Sequence, residues 1–279
     1  MTGVQTCALR SGSTAASGAD FVRYGGNTSC IAITGKDDAH PSLVFDAGTG
    51  LRQLTTLLAG TAFSGTILLS HLHWDHMQGI PFFNAGDRPD ASVRLIVPAQ
   101  DGRSGRDLLA QTLSPPAFPI TPEGLRGTWS FDAVEPGEVV VPGFQVRATE
   151  IQHKGGRTFG YRVDRDDRSV AYLPDHAPVL GISEDTRELL HGVDVLIHDA
   201  QFREAERTLA DLFGHATIRD AIGLAQEVEA RELVLFHHSP SRTDDALDRI
   251  SQELDGLADS LGDLRVTVAR EGDQLVGSQ

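Results

Sequence analysis

The segment His71-Leu-His73-Trp-Asp75-His76 constrains this chain more than any other feature of it. It follows directly on the apolar run Ile67-Leu68-Leu69, which reads as the end of a buried strand. Side chains alternate along a strand with period two, so His71 and His73 share a face. Asp75 and His76 fall where the strand gives way to a turn, and so point to a neighbouring position. One such segment can serve two ions about 3.5–4 Å apart, the spacing of two-metal hydrolases. Read instead as an ordinary polar loop, it would leave four metal-capable side chains in six positions unexplained.

Beta-like and helical runs alternate through the rest of the chain. Strands are predicted over 28–34, 42–45, 66–70, 94–97, 143–151, 158–164, 169–173, 193–197, 232–236 and 264–269. Helices are predicted over 51–58, 105–113, 183–191, 217–230 and 243–261, with Pro115-Pro116 stopping the second and Ser183 capping the third. Polar chemistry follows the strand ends in both halves: Asp46, His71, His153, Asp175, His198-Asp199 and His237. That pattern fits two sheets packed face to face, helices outside, and a site along one rim where loops on a rigid scaffold carry function.

At 279 residues and 40% hydrophobic, the chain can bury a large core, and nothing in its middle reads as a linker. The net charge of −15, from 24 basic and 39 acidic residues, argues against a broad nucleic-acid-binding face and against a stable nucleic-acid partner. It leaves room for a small anionic substrate, because bound metal ions dominate the field of such a site. Cys7 and Cys30 make no disulfide framework and no C-x-x-C, and Cys30 reads as a small buried hydrophobe. No apolar stretch reaches the length of a membrane span, and no signal-peptide core is present. The expectation is a cytoplasmic protein. Residues 1–11 look unlike the rest and resemble translated sequencing-adapter sequence. They are expected to be non-native or disordered, leaving the fold without a proper first strand; a slightly irregular edge strand is the alternative. Residues 12–279 are expected to form one domain.

From about residue 20 onward the chain resembles the metallo-β-lactamase-fold superfamily. The resemblance rests on His-x-His-x-Asp-His behind an apolar strand and on supporting positions in the family's order. These are His153 after Thr149-Glu-Ile-Gln152, Asp175 in Tyr172-Leu-Pro-Asp175, and His237 in Leu235-Phe-His237-His-Ser-Pro240. It implies an α/β (α+β) fold, a four-layer αββα sandwich with a dinuclear site on one edge. It implies His71, His73 and His153 as ligands of the first ion, Asp75, His76 and His237 as ligands of the second, and Asp175 as the bridge. A hydroxide between the ions would be the nucleophile, its pKa lowered towards ~7, with Asp75 counted among the catalytic groups. Imidazole and carboxylate without thiolate suit Zn²⁺ and would accept Mn²⁺ or Fe²⁺. The residues alone leave alternatives: His153 as a surface group beside Lys154, Asp175 as a turn aspartate after Pro174. Adjacent His237 and His238 cannot both face the site, and the resemblance selects His237. Asp46 either orients a ligand imidazole or caps the following helix. His176 stands behind the ligands or is exposed; His40 and His191 read as solvated.

Three further segments, Ile197-His-Asp-Ala-Gln-Phe202, Phe213-Gly-His-Ala-Thr217 and Leu235 to Pro240, resemble the phosphodiesterase branch. That branch includes RNase Z, cyclic-nucleotide phosphodiesterases and a phosphonate-pathway cyclic phosphodiesterase. In it the His of the Gly-His segment contacts phosphate and helps protonate the leaving oxygen, and an acid from the preceding strand end orients it. The matching residues are His215 and Asp199. An alkoxide leaving group needs such a proton donor; otherwise His215 merely lies near a helix start. His198 faces the other way. RNase Z enzymes carry a tRNA-gripping arm between the third His and the bridging Asp, whereas residues 154–174 here read as two strands. A small phosphodiester, cyclic ones included, is therefore the expected substrate. Lys154 and Arg157 either meet its phosphate or are solvated loop charges. Trp74, Met77 and 81–83 line the pocket or pack on the core. The absence of any Cys after Cys30 excludes the β-lactamase subclass with a Cys at the second metal. His73 stands where redox diiron members have Glu. Lactonases, thioesterases and β-lactamase-like hydrolases of carbonyl substrates are the alternative. A non-catalytic binding member would have lost ligands, and all seven positions are filled. The resemblance also implies a homodimer.

Overall fold

The computed structural model describes residues 3–8 and 12–276. Seven strands form the first sheet: β1 (Gly3–Ala8), β2 (Cys30–Thr34), β3 (Leu43–Phe45), β4 (Ser64–Leu68), β5 (Ser92–Pro98), β6 (Thr128–Val134) and β14 (Gln274–Val276). Their order is β14-β1-β2-β3-β4-β5-β6. The second sheet holds β7 (Gly137–Val141), β8 (Phe144–Ile151), β9 (Thr158–Arg165), β10 (Arg168–Leu173), β11 (Val195–Asp199), β12 (Glu232–Phe236) and β13 (Arg265–Val268), ordered β13-β12-β11-β10-β9-β8-β7.

Three apolar clusters fill the three interfaces of a four-layer αββα sandwich. Between the sheets lie Ile31, Ile33, Phe45, Leu68, Tyr161, Tyr172, Ile197 and Phe236. On the outer face of the first sheet, Ala32, Val44, Ile67 and Leu95 meet Leu51, Leu54 and Leu109 from helices. On the outer face of the second, Ala171, Leu196 and Leu233 meet Leu189, Leu224 and Leu247. The alternation is visible within single strands: Val170 and Tyr172 of β10 face inward, Ala171 and Leu173 outward. Burial on both faces is why the central strands read as continuous apolar runs.

Pairing is parallel from β3 to β6 and from β10 to β13. The carboxyl ends of these strands share a rim, the usual place for ligands in open parallel sheets. Asp46 follows β3, His71 follows β4, Asp175 follows β10, Asp199 ends β11 and His237 follows β12. β8 is antiparallel to β9, and β9 to β10, so β8 delivers His153 to the same rim.

Several expectations need correction. Residues 3–8 form a strand that pairs antiparallel with both β2 and β14, so the fold has a first strand, and it is not an edge strand. Main-chain pairing needs no particular side chains; the irregularity is confined to a register shift between Thr6 and Ala8. The helix expected over 243–261 breaks at Gly256 into Asp244–Asp255 and Ala258–Leu261. The helix expected over 105–113 is only Gly105–Leu109. β6, β7 and the helix Arg207–Phe213 were not predicted; β6 and β7 are edge strands with only partial burial, which weakens the alternation.

Phe45 stacks on Tyr161 and Tyr172 with ring centroids 5.7 and 5.2 Å away. Phe45→Ala is expected to cost about 3–5 kcal/mol, read as a lower denaturant midpoint with an unchanged slope.

Candidate metal centre

The rim brings the sequence-predicted ligands into two groups that share one carboxylate. His71, His73, His153 and Asp175 offer ligand atoms within 4.8 Å of one another, and so do Asp75, His76, Asp175 and His237. Asp175 lies between them. Its Oδ2 is 3.5 Å from Nε2 of both His71 and His153, while its Oδ1 is 3.3 Å from His76 Nε2 and 3.1 Å from His237 Nε2. Asp75 Oδ2 closes the second group, 3.2 Å from His76 Nε2 and 3.5 Å from His237 Nε2. His73 turns Nδ1 towards the first group, 3.3 Å from His153 Nε2.

These side chains fit a divalent cation. His71 Nε2, His76 Nε2, His237 Nε2, Asp75 Oδ2 and Asp175 Oδ1 are buried and make no hydrogen bond. Leaving that many polar atoms desolvated and unpaired is costly, and all five face the space between the two groups.

The opposite ring nitrogens explain why the imidazoles point inward. His76 Nδ1 donates to Asp46 Oδ2 at 2.7 Å. His71 Nδ1 is 3.0 Å from Ser70 Oγ, which itself donates to Asp46 Oδ2 at 2.9 Å. Tyr172 OH donates to the same oxygen at 2.6 Å, and Ser70 N to Asp46 Oδ1 at 2.7 Å. Asp46 therefore orients ligands rather than capping a helix; it sits at φ 57°, fully buried. His153 Nδ1 donates to the Gly214 carbonyl at 2.7 Å. Gly214, at φ 79°, ends the helix Arg207–Phe213 in the left-handed conformation that glycine takes readily. His237 is held differently. It stacks on His215 with centroids 5.1 Å apart, and Gly12 approaches the ring so closely that a Cβ there would lie 2.6 Å from Nδ1. Ser70, Tyr172, Gly214 and Gly12 escaped the sequence reading, because none carries a metal-binding pattern. The adjacency of Ser70 to His71 was the one available signal.

Charge follows burial and neighbours. Burial, then His76, pushes His71 down to about 3; burial also lowers His73 and His153, keeping all three neutral. Burial would lower His76 as well, but Asp175, Asp75 and Asp46 outweigh it and raise the imidazole well above its usual value. Burial would raise Asp75 and Asp175, yet the surrounding histidines hold both well below the carboxylate range.

Asp199 and His215 stand against this cluster. His215 Nδ1 donates to Asp199 Oδ2 at 2.8 Å, and its ring lies 5.0 Å from that of His153. Asp199 Oδ2 also accepts from the main-chain nitrogens of His176 and Ala216, and Oδ1 from that of Gln201. Burial would lower His215, but Asp199, then Asp175 and Asp75, raise it to about 9, so it carries a proton at neutral pH. His198 faces away from the cluster, buried, donating from Nδ1 to the Asp199 carbonyl at 2.7 Å, and His176 Nδ1 meets its Nε2 at 3.0 Å.

Both flanking cations have protein partners. Lys154 Nζ caps the helix Arg207–Phe213 through the carbonyls of Asp211 and Leu212. Arg157 pairs with Glu135 at 2.8 Å and Glu150 at 2.9 Å. Met77 and Phe83 pack into the core, while Trp74 and Phe82 are exposed.

Residues 42–238 match the family described as the Beta-lactamase superfamily domain. The chain belongs to that superfamily. It is 26% identical to Ribonuclease Z of Natronomonas pharaonis, over 76% of this chain and 82% of that one. Among solved structures it resembles a diphosphatase from the PhnP family (TM-score 0.74, 16% identity, 100% and 98% of the two chains). It also resembles the short form of human tRNase Z (TM-score 0.67, 19% identity, 99% and 100%). The superfamily's metallo-β-lactamase fold implies divalent metal binding, and the His/Asp groups of the rim suit it.

Two outcomes are expected. A ligand imidazole must be neutral, and metal-free His76 is protonated at neutral pH. Zn²⁺ loading at pH 7 should release protons, and affinity should rise with pH. Calorimetry in buffers of different ionisation heat checks this. Gly12→Ala should weaken metal binding by about tenfold, the scale of lost ligand support, because the His237 ring must move. Chelator competition reads that change.

Proposed function

We propose that this superfamily member is a dinuclear metal-dependent phosphodiesterase acting on small phosphodiesters, cyclic ones included. On this reading His71, His73 and His153 hold one ion, Asp75, His76 and His237 the other, and Asp175 bridges them. When bound, two divalent ions, Zn²⁺ first with Mn²⁺ or Fe²⁺ as alternatives, supply Lewis acidity and a water-derived nucleophile at neutral pH. The protein's own residues do the rest. Asp46 and the Gly214 carbonyl fix the tautomers of His76 and His153 so that Nε2 faces inward. His215 donates a proton from Nε2 to the leaving oxygen, and Asp199 holds Nδ1 and stabilises the imidazolium.

The observation that carries the reading is the His215–Asp199 pair set against the metal cluster and poised as an acid. Thioester hydrolysis has less need of a dedicated proton donor, because a thiolate is a far weaker base than an alkoxide. The relatives named Ribonuclease Z make RNA a substrate to weigh. Here residues 158–173 form only the β9–β10 hairpin, and the charge of −15 opposes a polyanion. Small anionic substrates, no stable nucleic-acid or membrane partner, homodimeric assembly and a cytoplasmic setting complete the proposal.

The test is metal content by elemental analysis alongside turnover of bis(p-nitrophenyl) phosphate, 2′,3′-cyclic nucleotides, a lactone and a cephalosporin. Two ions per chain and phosphodiester turnover are expected. His215→Ala should slow the cyclic nucleotides, whose alkoxide needs a proton, by about 10²–10⁴-fold. It should slow bis(p-nitrophenyl) phosphate far less, since p-nitrophenolate leaves unaided. Lactone turnover without phosphodiester turnover would overturn the reading.

A further inference from the structure

His153 and Lys154 are neighbours in sequence, and both reach the same short turn. His153 Nδ1 donates to the Gly214 carbonyl at 2.7 Å. Lys154 Nζ donates to the Asp211 carbonyl at 3.1 Å and to that of Leu212. The stem of Lys154 lies over Gly214, where a Cβ would come within 2.9 Å of Lys154 Cγ. Gly214 N and His215 N both donate to the Ala210 carbonyl, at 2.8 and 2.9 Å. The last carbonyls of a helix lack partners within it. Lys154 supplies one here, where a cation also meets the negative end of the helix dipole. The residue that follows Gly214 along this turn is His215.

Apolar packing anchors the helix Arg207–Phe213 only weakly. Ala210 is its one buried residue, whereas Leu209, Leu212 and Phe213 are exposed. Phe213 leans on Phe202 with ring centroids 6.4 Å apart. Polar contacts fix the two ends of the helix. Arg207 pairs with Asp220 at 2.7 Å at its start, and Lys154 holds its finish. A hydrogen bond from a charged donor is stronger than a neutral one, and Lys154 makes two. Asp199 holds the His215 ring at Nδ1. The turn sets where that ring stands against His153, 5.0 Å away, and His237, 5.1 Å away. Lys154 itself is exposed, so its loss should leave global stability almost unchanged.

We propose that Lys154 is a positioning residue for the proton donor. By clamping the end of the helix Arg207–Phe213 beside a metal-ligand histidine, it holds His215 where Nε2 reaches the leaving oxygen. The proposal rests on the phosphodiesterase reading for what His215 does, and names what keeps the donor in place. Misplacing a reacting group by about 1 Å can cost about 10²-fold in rate, and loosening the turn costs part of that. Lys154→Met keeps the stem over Gly214 and removes both charge-assisted hydrogen bonds. Lys154→Arg keeps a cation that can donate to the same carbonyls.

Two measurements on the full, zinc-loaded chain test this. In the first, kcat and KM are compared for adenosine 2′,3′-cyclic phosphate, whose alkoxide leaving group needs a proton, and for bis(p-nitrophenyl) phosphate, whose leaving group does not. Lys154→Met should lower kcat on the cyclic nucleotide about tenfold, the scale of lost support for a site residue, with KM nearly unchanged. It should slow bis(p-nitrophenyl) phosphate far less, and Lys154→Arg should recover most of the loss. In a His215→Ala background, Lys154→Met should cost nothing further on the cyclic nucleotide, because the two residues act as one unit. The second measurement is NMR of the imidazole rings. The His215 resonances, assigned by their absence in His215→Ala, should shift or broaden in Lys154→Met and return in Lys154→Arg. No loss on the cyclic nucleotide, an equal loss on both substrates, a loss that persists without His215, or unchanged His215 resonances in Lys154→Met would overturn the proposal. If wild type hydrolyses no diester, the phosphodiesterase reading fails, while the resonances still decide whether Lys154 holds the His215 ring.

Discussion

The buried carboxylate of Asp175, with imidazole nitrogens on both of its oxygens, is the point on which the rim depends. Four histidines from three separate chain segments converge on it. Without a cation the arrangement leaves buried polar atoms desolvated and unpaired. The sandwich can hold it only because the layers beneath are apolar and closely packed. Site and scaffold meet at Asp46, whose two oxygens take hydrogen bonds from His76, from the main chain and hydroxyl of Ser70, and from Tyr172. Tyr172 belongs to the inter-sheet core and to the second sheet, Asp46 to the first. One carboxylate thus ties both sheets to the ligand that faces Asp175.

Much of this was legible in the sequence, for an identifiable reason. Strand alternation fixes which residues look inward, so the placement of Asp199 towards the cluster and of His198 away from it followed from parity along β11. The His-x-His-x-Asp-His segment likewise announces its own chemistry. The supporting hydrogen bonds were not legible. Ser70, Tyr172 and the Gly214 carbonyl act through groups that every protein has in abundance, and only three-dimensional proximity distinguishes them. The partners of Lys154 were hidden for the same reason, since Asp211 and Leu212 lie far away in sequence; those of Arg157, Glu135 and Glu150, are nearer but are brought to it only by the folded strands. β1 was misjudged because unusual composition says little about main-chain pairing.

Acidic charge predominates at two scales. The chain as a whole is strongly acidic, and the surface cations are largely paired with nearby carboxylates, as at Arg88 with Asp90 and Arg126 with Asp87. At the rim His76 and His215 hold positive charge before any ion arrives, but the ionised carboxylates of Asp75, Asp175 and Asp199 outnumber them. The charge that would draw an anion into the cleft is therefore that of bound divalent ions, which dominate the local field of such a site.

The pairing of β1 with both β2 and β14 joins the two extremities of the described chain inside one sheet, with Gly3 opposite Val276. The same N-terminal stretch then runs to Gly12, against His237. Gly12 lies four residues beyond the end of β1, so the stretch of chain that completes the first sheet also helps to seat one ligand imidazole of the rim.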